Sequence, residues 1–430
     1  MAKDWLRRLL TFEHPRSASL VEPGLHHIMQ EAHGSFARFH LRVENDGSGM
    51  LIANAMAAAR LTPSGVVIAL GLLEGQAEDE IIQTLKKNFA GTHESMLHSD
   101  IQRVNELIER LKDPGDTYPV FNLEDAATSP DSAELIAPLQ ASLPLAAPDV
   151  IIPLLDRLWE VGIPHVTFLL PETFKADHAI RAVERAEDLG MIAGIRSRPS
   201  DIDDEDLLAG LRQAGVDHIT FIYAAAHADI HNALCGAGDH AAAIRVIDWL
   251  QANQTSAIAE VPLVRATLDR ISSTVDALLE NQIHNLAFVA YVTTDEALAE
   301  REEIFTQKSM AQVATTVEET ADMAQARFIW DPPIERDPKV TLSEQVRRGP
   351  RCTGDVAVRV EPSGEVIPPR GRYRSAGNLL RETWDDIWND EVFRRFRELV
   401  ESPTRCEVCP GLAICAADCP RDPQGWARGA

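Results

Sequence analysis

Four cysteines, Cys406, Cys409, Cys415 and Cys419, form a C-x2-C-x5-C-x3-C run near the C-terminus; the chain holds two others, Cys235 and Cys352. Thiolates this closely spaced suit a soft metal centre, either tetrahedral Zn(II) or one iron–sulfur cluster. A disulfide framework is a poor account of them in a chain of 430 residues whose start does not read as a secretory signal. Pro410, Gly411 and Pro420 suit a tight loop that turns sulfurs inward. Two C-x2-C pairs would mark a zinc ribbon, but here the second pair is separated by three residues, so spacing leaves both metals open. Cys352 precedes a predicted hairpin and reads as a fifth ligand or a small buried hydrophobe. Cys235, within Ala-Leu-Cys-Gly, reads as packing.

Two further groups have the types for chemistry. Glu172 follows Leu169-Leu170-Pro171 at the C-terminal end of a predicted strand, where barrel enzymes place functional groups; a carboxylate there can bind an amine or stand as a solvated loop acid. His227 and His231 lie four apart with Asp229 between them, a spacing that would put both imidazoles on one helix face as metal ligands require; a metal-free surface pair is the plainer reading. No P-loop, G-x-S-x-G or H-E-x-x-H occurs.

The elements that position these residues fall into three blocks, 1–115, 116–340 and 341–430. In the first, residues 40–43 (HLRV) and 50–53 pair around the turn Asn45-Asp46-Gly47-Ser48-Gly49. Helices follow from Pro63 through Leu73 and over residues 78–88, the latter with Ile81, Ile82 and Leu85 on one face. This is a small α+β, winged-helix-like module. The second block alternates strands with amphipathic helices: strands at 118–123, 165–170, 191–196, 217–223, 256–264 and 285–291, helices at 150–161, 176–189, 203–214, 240–252, 271–281 and 310–326. Such spacing requires right-handed βαβ units and a parallel sheet. The absence of a G-x-G-x-x-G after the first strand favours a partial (β/α) barrel over a doubly wound sheet. The third block has a hairpin over 355–367, a helix over 385–400 carrying Ile387, Trp388, Phe393, Phe396 and Leu399, and then the cysteines.

Sixty-six acidic against forty-one basic residues give a net charge of −25, which disfavours a nucleic-acid or anionic-membrane partner. No stretch approaches the eighteen apolar residues of a membrane span. A reducing, cytoplasmic setting is expected.

Taken together, the blocks resemble the peptide-modifying branch of the radical SAM superfamily with a SPASM auxiliary-cluster domain. The first block is similar to the PqqD-like peptide-recognition module through HLRVENDGSGMLIANA (40–55) and LTPSGVVIALGLLEG (61–75). The middle resembles the radical SAM barrel through LLDRLWEVGIPHVTF (154–168), AEDLGMIAGIRS (186–197), LRQAGVDHITFIY (211–223) and DIHNALCGAGDHAAAIRVIDWL (229–250). The tail resembles SPASM through Cys352, EPSGEV (361–366), SAGNLLRETWDDIWND (375–390) and the cysteine run.

The departures are informative. Active members carry C-x3-C-x2-C just after the first barrel strand, where a 4Fe–4S cluster chelates S-adenosylmethionine; the corresponding residues 126–139 (AATSPDSAELIAPL) contain no cysteine. The family's second-strand G-G-E-P corresponds to Leu169-Leu170-Pro171-Glu172, retaining a Glu displaced by one place. The auxiliary cysteine expected five positions after Gly364 is Pro369. The resemblance thus implies one C-terminal 4Fe–4S cluster on Cys406, Cys409 and Cys415, completed by Cys419 or a ligand such as Asp422, with Cys352 as a further candidate and zinc as the alternative. It implies loss of reductive S-adenosylmethionine cleavage, and a role as an accessory or binding subunit for a precursor peptide or protein substrate beside an active radical SAM paralogue. Two other readings are an active SAM-dependent or other enzyme working at the barrel's C-terminal face around Glu172 and His227, and a zinc-stabilised interaction scaffold.

Overall fold

The computed structural model describes residues 20–32, 35–53, 57–89, 94–112, 136–324, 326–348, 357–367 and 374–394. The chain divides into two compact units, Met1–Thr117 with Ser132–Ile136, and Tyr118–Asp131 with Ala137–Ala430.

The first unit holds an antiparallel sheet of β1 (Gly24–Ala32), β2 (Ser35–Val43), β3 (Gly49–Ala53) and β4 (Ala57–Leu61), in sequential order. Helices α1 (Pro63–Leu73), α2 (Glu78–Asn88) and α3 (Glu94–Lys112) follow. The expected hairpin is β2–β3, with Arg42 opposite Met50 and Val43 opposite Gly49. Its turn is fixed by Asp46 Oδ1, which accepts from the Ser48 backbone and hydroxyl at 2.8 and 2.6 Å, and by Gly47 at φ +83°. Alternate residues Phe39, Leu41 and Val43 are buried against Val66, Ala69 and Leu73 of α1 and Ile108 and Leu111 of α3. Thr62 caps α1 and Pro63 takes its first position, where a missing N–H costs nothing. Strand addition beside residues 40–43 is precluded, because β2 is bonded on both edges, to β1 and to β3. The edges of this sheet are β1 and β4.

The second unit begins with β5 (Gln140–Pro144), α4 (Pro148–Glu160), β6 (His165–Leu169), α5 (Ala176–Asp188), β7 (Ile192–Ser197), the short α6 (Pro199–Ile202) and α7 (Glu205–Gln213). It continues through β8 (His218–Ile222), α8 (Ala228–Cys235), α9 (Asp239–Ala252), β9 (Ala257–Leu263), α10 (Arg265–Leu268), α11 (Ile271–Glu280) and β10 (Asn285–Thr293). Then come α12 (Glu296–Arg301), β11 (Phe305–Thr306), α13 (Met310–Met323), β12 (Arg327–Glu335), α14 (Leu342–Arg348), β13 (Ala357–Val360), β14 (Glu365–Ile367), β15 (Gly377–Asn378) and α15 (Trp384–Trp388).

All these strands join one 11-stranded sheet, in which β5 to β10 pair in parallel and in sequence. Every residue of β7, β8, β9 and β10 is buried, as expected where helices cover both faces of a parallel sheet. The helices supply single apolar stripes, such as Ile151, Leu154, Leu155 and Leu158 on α4.

Three expectations change. The strand expected over 118–123 lies outside the described residues, and a strand the expectation lacked, β5, pairs with β6 on one edge and, in parallel, with β13 on the other. The first described parallel strand is therefore β5, and the segment after it is Leu145-Ala146-Ala147, also without cysteine. Second, the C-terminal hairpin β13–β14 belongs to the same sheet as the βα units, which runs from β15 at one end to β10 at the other, where β10 bonds to both β11 and β12. Third, the helix expected over 385–400 stops at Trp388. Asp390 starts a new turn by accepting from Val392 N at 2.9 Å, so helical capping breaks the run. Among the described residues, no helix is long and apolar enough to cross a membrane.

Candidate functional site

Parallel α/β sheets bind ligands at the C-terminal ends of their strands, and in this chain the charged side chains converge there. Arg196 near the end of β7 and Glu260 in β9 form a two-pronged pair, Nε to Oε2 at 2.7 Å and Nη2 to Oε1 at 2.5 Å, both side chains almost fully buried. The same guanidinium donates to the carbonyls of Val346 and Arg347 at 2.9 Å each. Those carbonyls lie in the last turn of α14, which has no intrahelical donor for them. Val346 also packs with Ile222, Leu234, Cys235, Val264 and Tyr291. Helix α14 thus covers the strand ends. Burial and the neighbouring Glu260 charge push the Tyr291 phenol well above its ordinary value.

Beside this pair lies a cluster that sequence spacing misassigned. His227 is exposed and precedes α8, whereas His231, one turn along, is fully buried. The partner of His231 is Asp239, eight positions on, with Nε2 and Oδ2 2.9 Å apart. The chain between them turns through Gly236 at φ +119° and Gly238 at φ +82°, conformations that glycine adopts readily. Asp239 Oδ1 accepts from Ser200 N at 2.9 Å. Burial pushes the Asp239 carboxyl up, but the hydrogen bonds from His231 and Ser200 outweigh it and hold the carboxyl below its ordinary value. Cys235 lies in the same cluster, and the ligating atoms of His231, Cys235 and Asp239 fall within 4.8 Å of one another. Burial, and then the Asp239 charge, push the Cys235 thiol up, so it stays protonated.

One sulfur, one nitrogen and one oxygen are a donor set of metal-ligating type, but not that of a 4Fe–4S cluster, which is held by several thiolates. Hydrogen bonding decides what the trio does as built. The Ala224 N–H donates to His231 Nδ1 at 3.2 Å, so Nε2 carries the proton and donates it to Asp239. A metal on Nε2 would require that proton on Nδ1, facing another N–H. In this arrangement the cluster is a clamp that ties the ends of β7 and β8 to the start of α9. Arg198 extends it, donating to the Cys235 carbonyl at 3.0 Å and to both oxygens of Asp201 at 3.0 and 2.7 Å.

Glu172, just past the end of β6, is the exposed member of the group. Its Oε2 accepts from Arg347 Nη1 at 3.0 Å, and its Oε1 lies 3.8 Å from Arg198 Nη2. On the other flank of the same loop, Pro171, Thr173, Phe174, Lys175 and His178 form a hollow of about 450 Å³ with Leu145, Ala146 and Ala147 after β5. The cysteines Cys352, Cys406, Cys409, Cys415 and Cys419 lie outside the described residues.

Arg196, Glu260, Asp239 and Arg347 were not singled out by spacing or motif. Glu260 had a legible signal, an acid inside the apolar run SAIAEVPLV; such a residue is buried only with a partner.

Residues 352–419 match SPASM, an iron–sulfur cluster-binding domain. The fold is similar to that of SuiB from Streptococcus suis, with a TM-score of 0.55 at 13% identity over 89% of this chain and 94% of that one. Crystal structures of SuiB bound to S-adenosylmethionine and of SuiB bound to its precursor peptide SuiA align equally well, each with a TM-score of 0.55 at 12% identity over 92% of this chain and 95% of the other. No curated protein sequence matches the chain.

Proposed function

We propose that this chain is a catalytically degenerate radical-SAM-like protein that binds a precursor peptide or protein substrate and carries one 4Fe–4S cluster in its C-terminal segment. The observation that carries this reading is the match of residues 352–419 to an iron–sulfur domain in a chain that has no cysteine before Cys235. Cys406, Cys409, Cys415 and Cys419, with Cys352 in reserve, are the residues that would hold the cluster, which supplies one-electron transfer when bound. A second cluster after β5, of the kind that cleaves S-adenosylmethionine, has no thiolates to hold it. The role is therefore that of an accessory subunit, presenting a peptide or relaying an electron to an active paralogue. The likeness to SuiB, which binds SuiA, supports a peptide as the partner. An extended peptide would add at the edge of β1, nine residues long and bonded only to β2 among the described strands.

Anaerobic reconstitution with iron and sulfide tests the reading. About four irons per chain are expected, with a broad cluster absorbance that disappears in the Cys409→Ala/Cys415→Ala variant. Stoichiometric zinc without iron would refute the electron relay.

A further inference from the structure

We propose that the C-terminal mouth of the sheet seats an apolar carboxylate, held by Arg198 and Arg347 in the place that Glu172 occupies. The three side chains differ sharply in solvation: Glu172 is 60% exposed, while Arg198 and Arg347 are 12% and 16% exposed. The cationic seat is therefore built into the protein and the anion in it is a surface loop residue. Each guanidinium is fixed by its own acid, Arg198 by Asp201 at 2.7 Å and Arg347 by Glu344 at 2.6 Å, so the seat does not need Glu172 for its geometry.

Glu172 also fills the seat incompletely. It makes one contact of hydrogen-bond length, to Arg347, and only an ion pair to Arg198. The Arg347 Nε is buried and lacks a hydrogen-bond partner among the described residues. A carboxylate that is free of the loop can turn toward the unpartnered Arg347 Nε and keep the ion pair to Arg198, whose own fork is engaged by Asp201. Glu172 is the solvated partner in both pairs, so its displacement returns a carboxylate to water.

The apolar part of the ligand is drawn from the hollow on the other flank of the Glu172 loop, which neither guanidinium lines. Pro171 and Thr173, on either side of Glu172, line the 450 Å³ space with Leu145, Ala146, Ala147 and Phe174. An ammonium group is disfavoured in the place of Glu172, since two guanidiniums face it. Beyond about 8 Å physiological salt screens the net charge of −25, so the nearby opposition to an anion comes from Asp201 and Glu344 on the same guanidiniums.

Calorimetric titration of the full chain at physiological salt with hexanoate, its neutral isostere hexanamide, and N-acetyl-leucine as the end of a peptide tests the seat. Hexanoate should bind about tenfold more tightly than hexanamide. Glu172→Gln, a surface change that leaves thermal stability in place, should tighten hexanoate about fivefold by removing the internal competitor. Arg347→Gln in that background should abolish the gain. N-acetyl-leucine binding more tightly than hexanoate would assign the seat to a peptide C-terminus, and the reverse order to a free acid; both support it. Equal affinities for hexanoate and hexanamide, or a hexanoate affinity unmoved by Glu172→Gln, overturn it. No arm of this test requires iron, so its failure leaves the cluster reading standing.

Discussion

Lowering the pH from 7 to 4 puts charge on His165, a buried imidazole whose Nε2 lies 2.8 Å from that of the equally buried His218. They open β6 and β8, at the strand ends opposite the charged mouth, and β7 runs between them. At Gly194 in β7 a Cβ would stand 2.0 Å from His218 Cε1, so the absence of a side chain there makes room for the ring. One proton serves the pair: one Nε2 donates and the other accepts. A second proton would set two N–H groups against each other without water. Burial lowers the His165 pKa from 6.5 to about 4, and burial followed by the charge on His165 lowers that of His218 well below its ordinary value.

Because the folded pKa lies below the unfolded one, the unfolded chain binds the extra proton. Stability from His165 is complete above pH 6.5 and declines as pH falls from there toward 4. A shift of that size corresponds to about 3 kcal/mol. The measurement is urea unfolding at pH 7.5, 6.5, 5.5 and 4.5, followed through Trp159 and Trp249 on α4 and α9, for the natural chain and for His165→Gln. The glutamine keeps a donor toward His218 but does not titrate. The natural chain should lose about 3 kcal/mol more than the variant across the window, which cancels contributions from the carboxylates common to both. Parallel stability curves would refute the idea that the buried pair is neutral at pH 7 because of its burial.

The mouth and the clamp lead to two further expectations. Glu260→Gln leaves the Arg196 guanidinium buried without its counter-charge and should cost about 3–5 kcal/mol, whereas the double change Arg196→Met/Glu260→Met should recover most of it, both read by urea midpoint. Cys235 should resist iodoacetamide in the folded chain at pH 8 and react fully in urea, as mapped by peptide mass spectrometry, because burial and Asp239 keep its thiol protonated; native-state labelling would contradict the clamp.

The βα alternation was legible because amphipathic helices of nine to fourteen residues separate short apolar strands, and the periodicities 3.6 and 2 are hard to confuse at that length. Ile81, Ile82 and Leu85 on α2 and the β2–β3 hairpin were legible for the same reason. The pairing of β13 with β5 was not: Ser142 and Val358 meet across 216 residues, and no local pattern encodes a partner that distant. Strand β1, GLHHIMQEA, has neither alternation nor a continuous apolar run. Of the site, Glu172 and His231 were visible as candidates, but their partners were not. Asp239 follows a glycine-bent break in the helix, where the i, i+4 rule that suggested His227 no longer applies.

A mouth that awaits a charged cofactor ordinarily holds charges without internal partners, since their desolvation is offset only when the ligand arrives. In this chain Arg196 is satisfied by Glu260 and by the carbonyls of α14, and Asp239 by His231 and Ser200. Such internal satisfaction removes the energetic gain that a polar ligand would bring to those groups, and it explains how the fold can persist without one. Glu172 departs from the pattern, being the acid of the group that water already solvates. Replacing it by an external carboxylate therefore changes no buried charge, which makes its seat the place in the mouth where a ligand can enter without unmaking the fold.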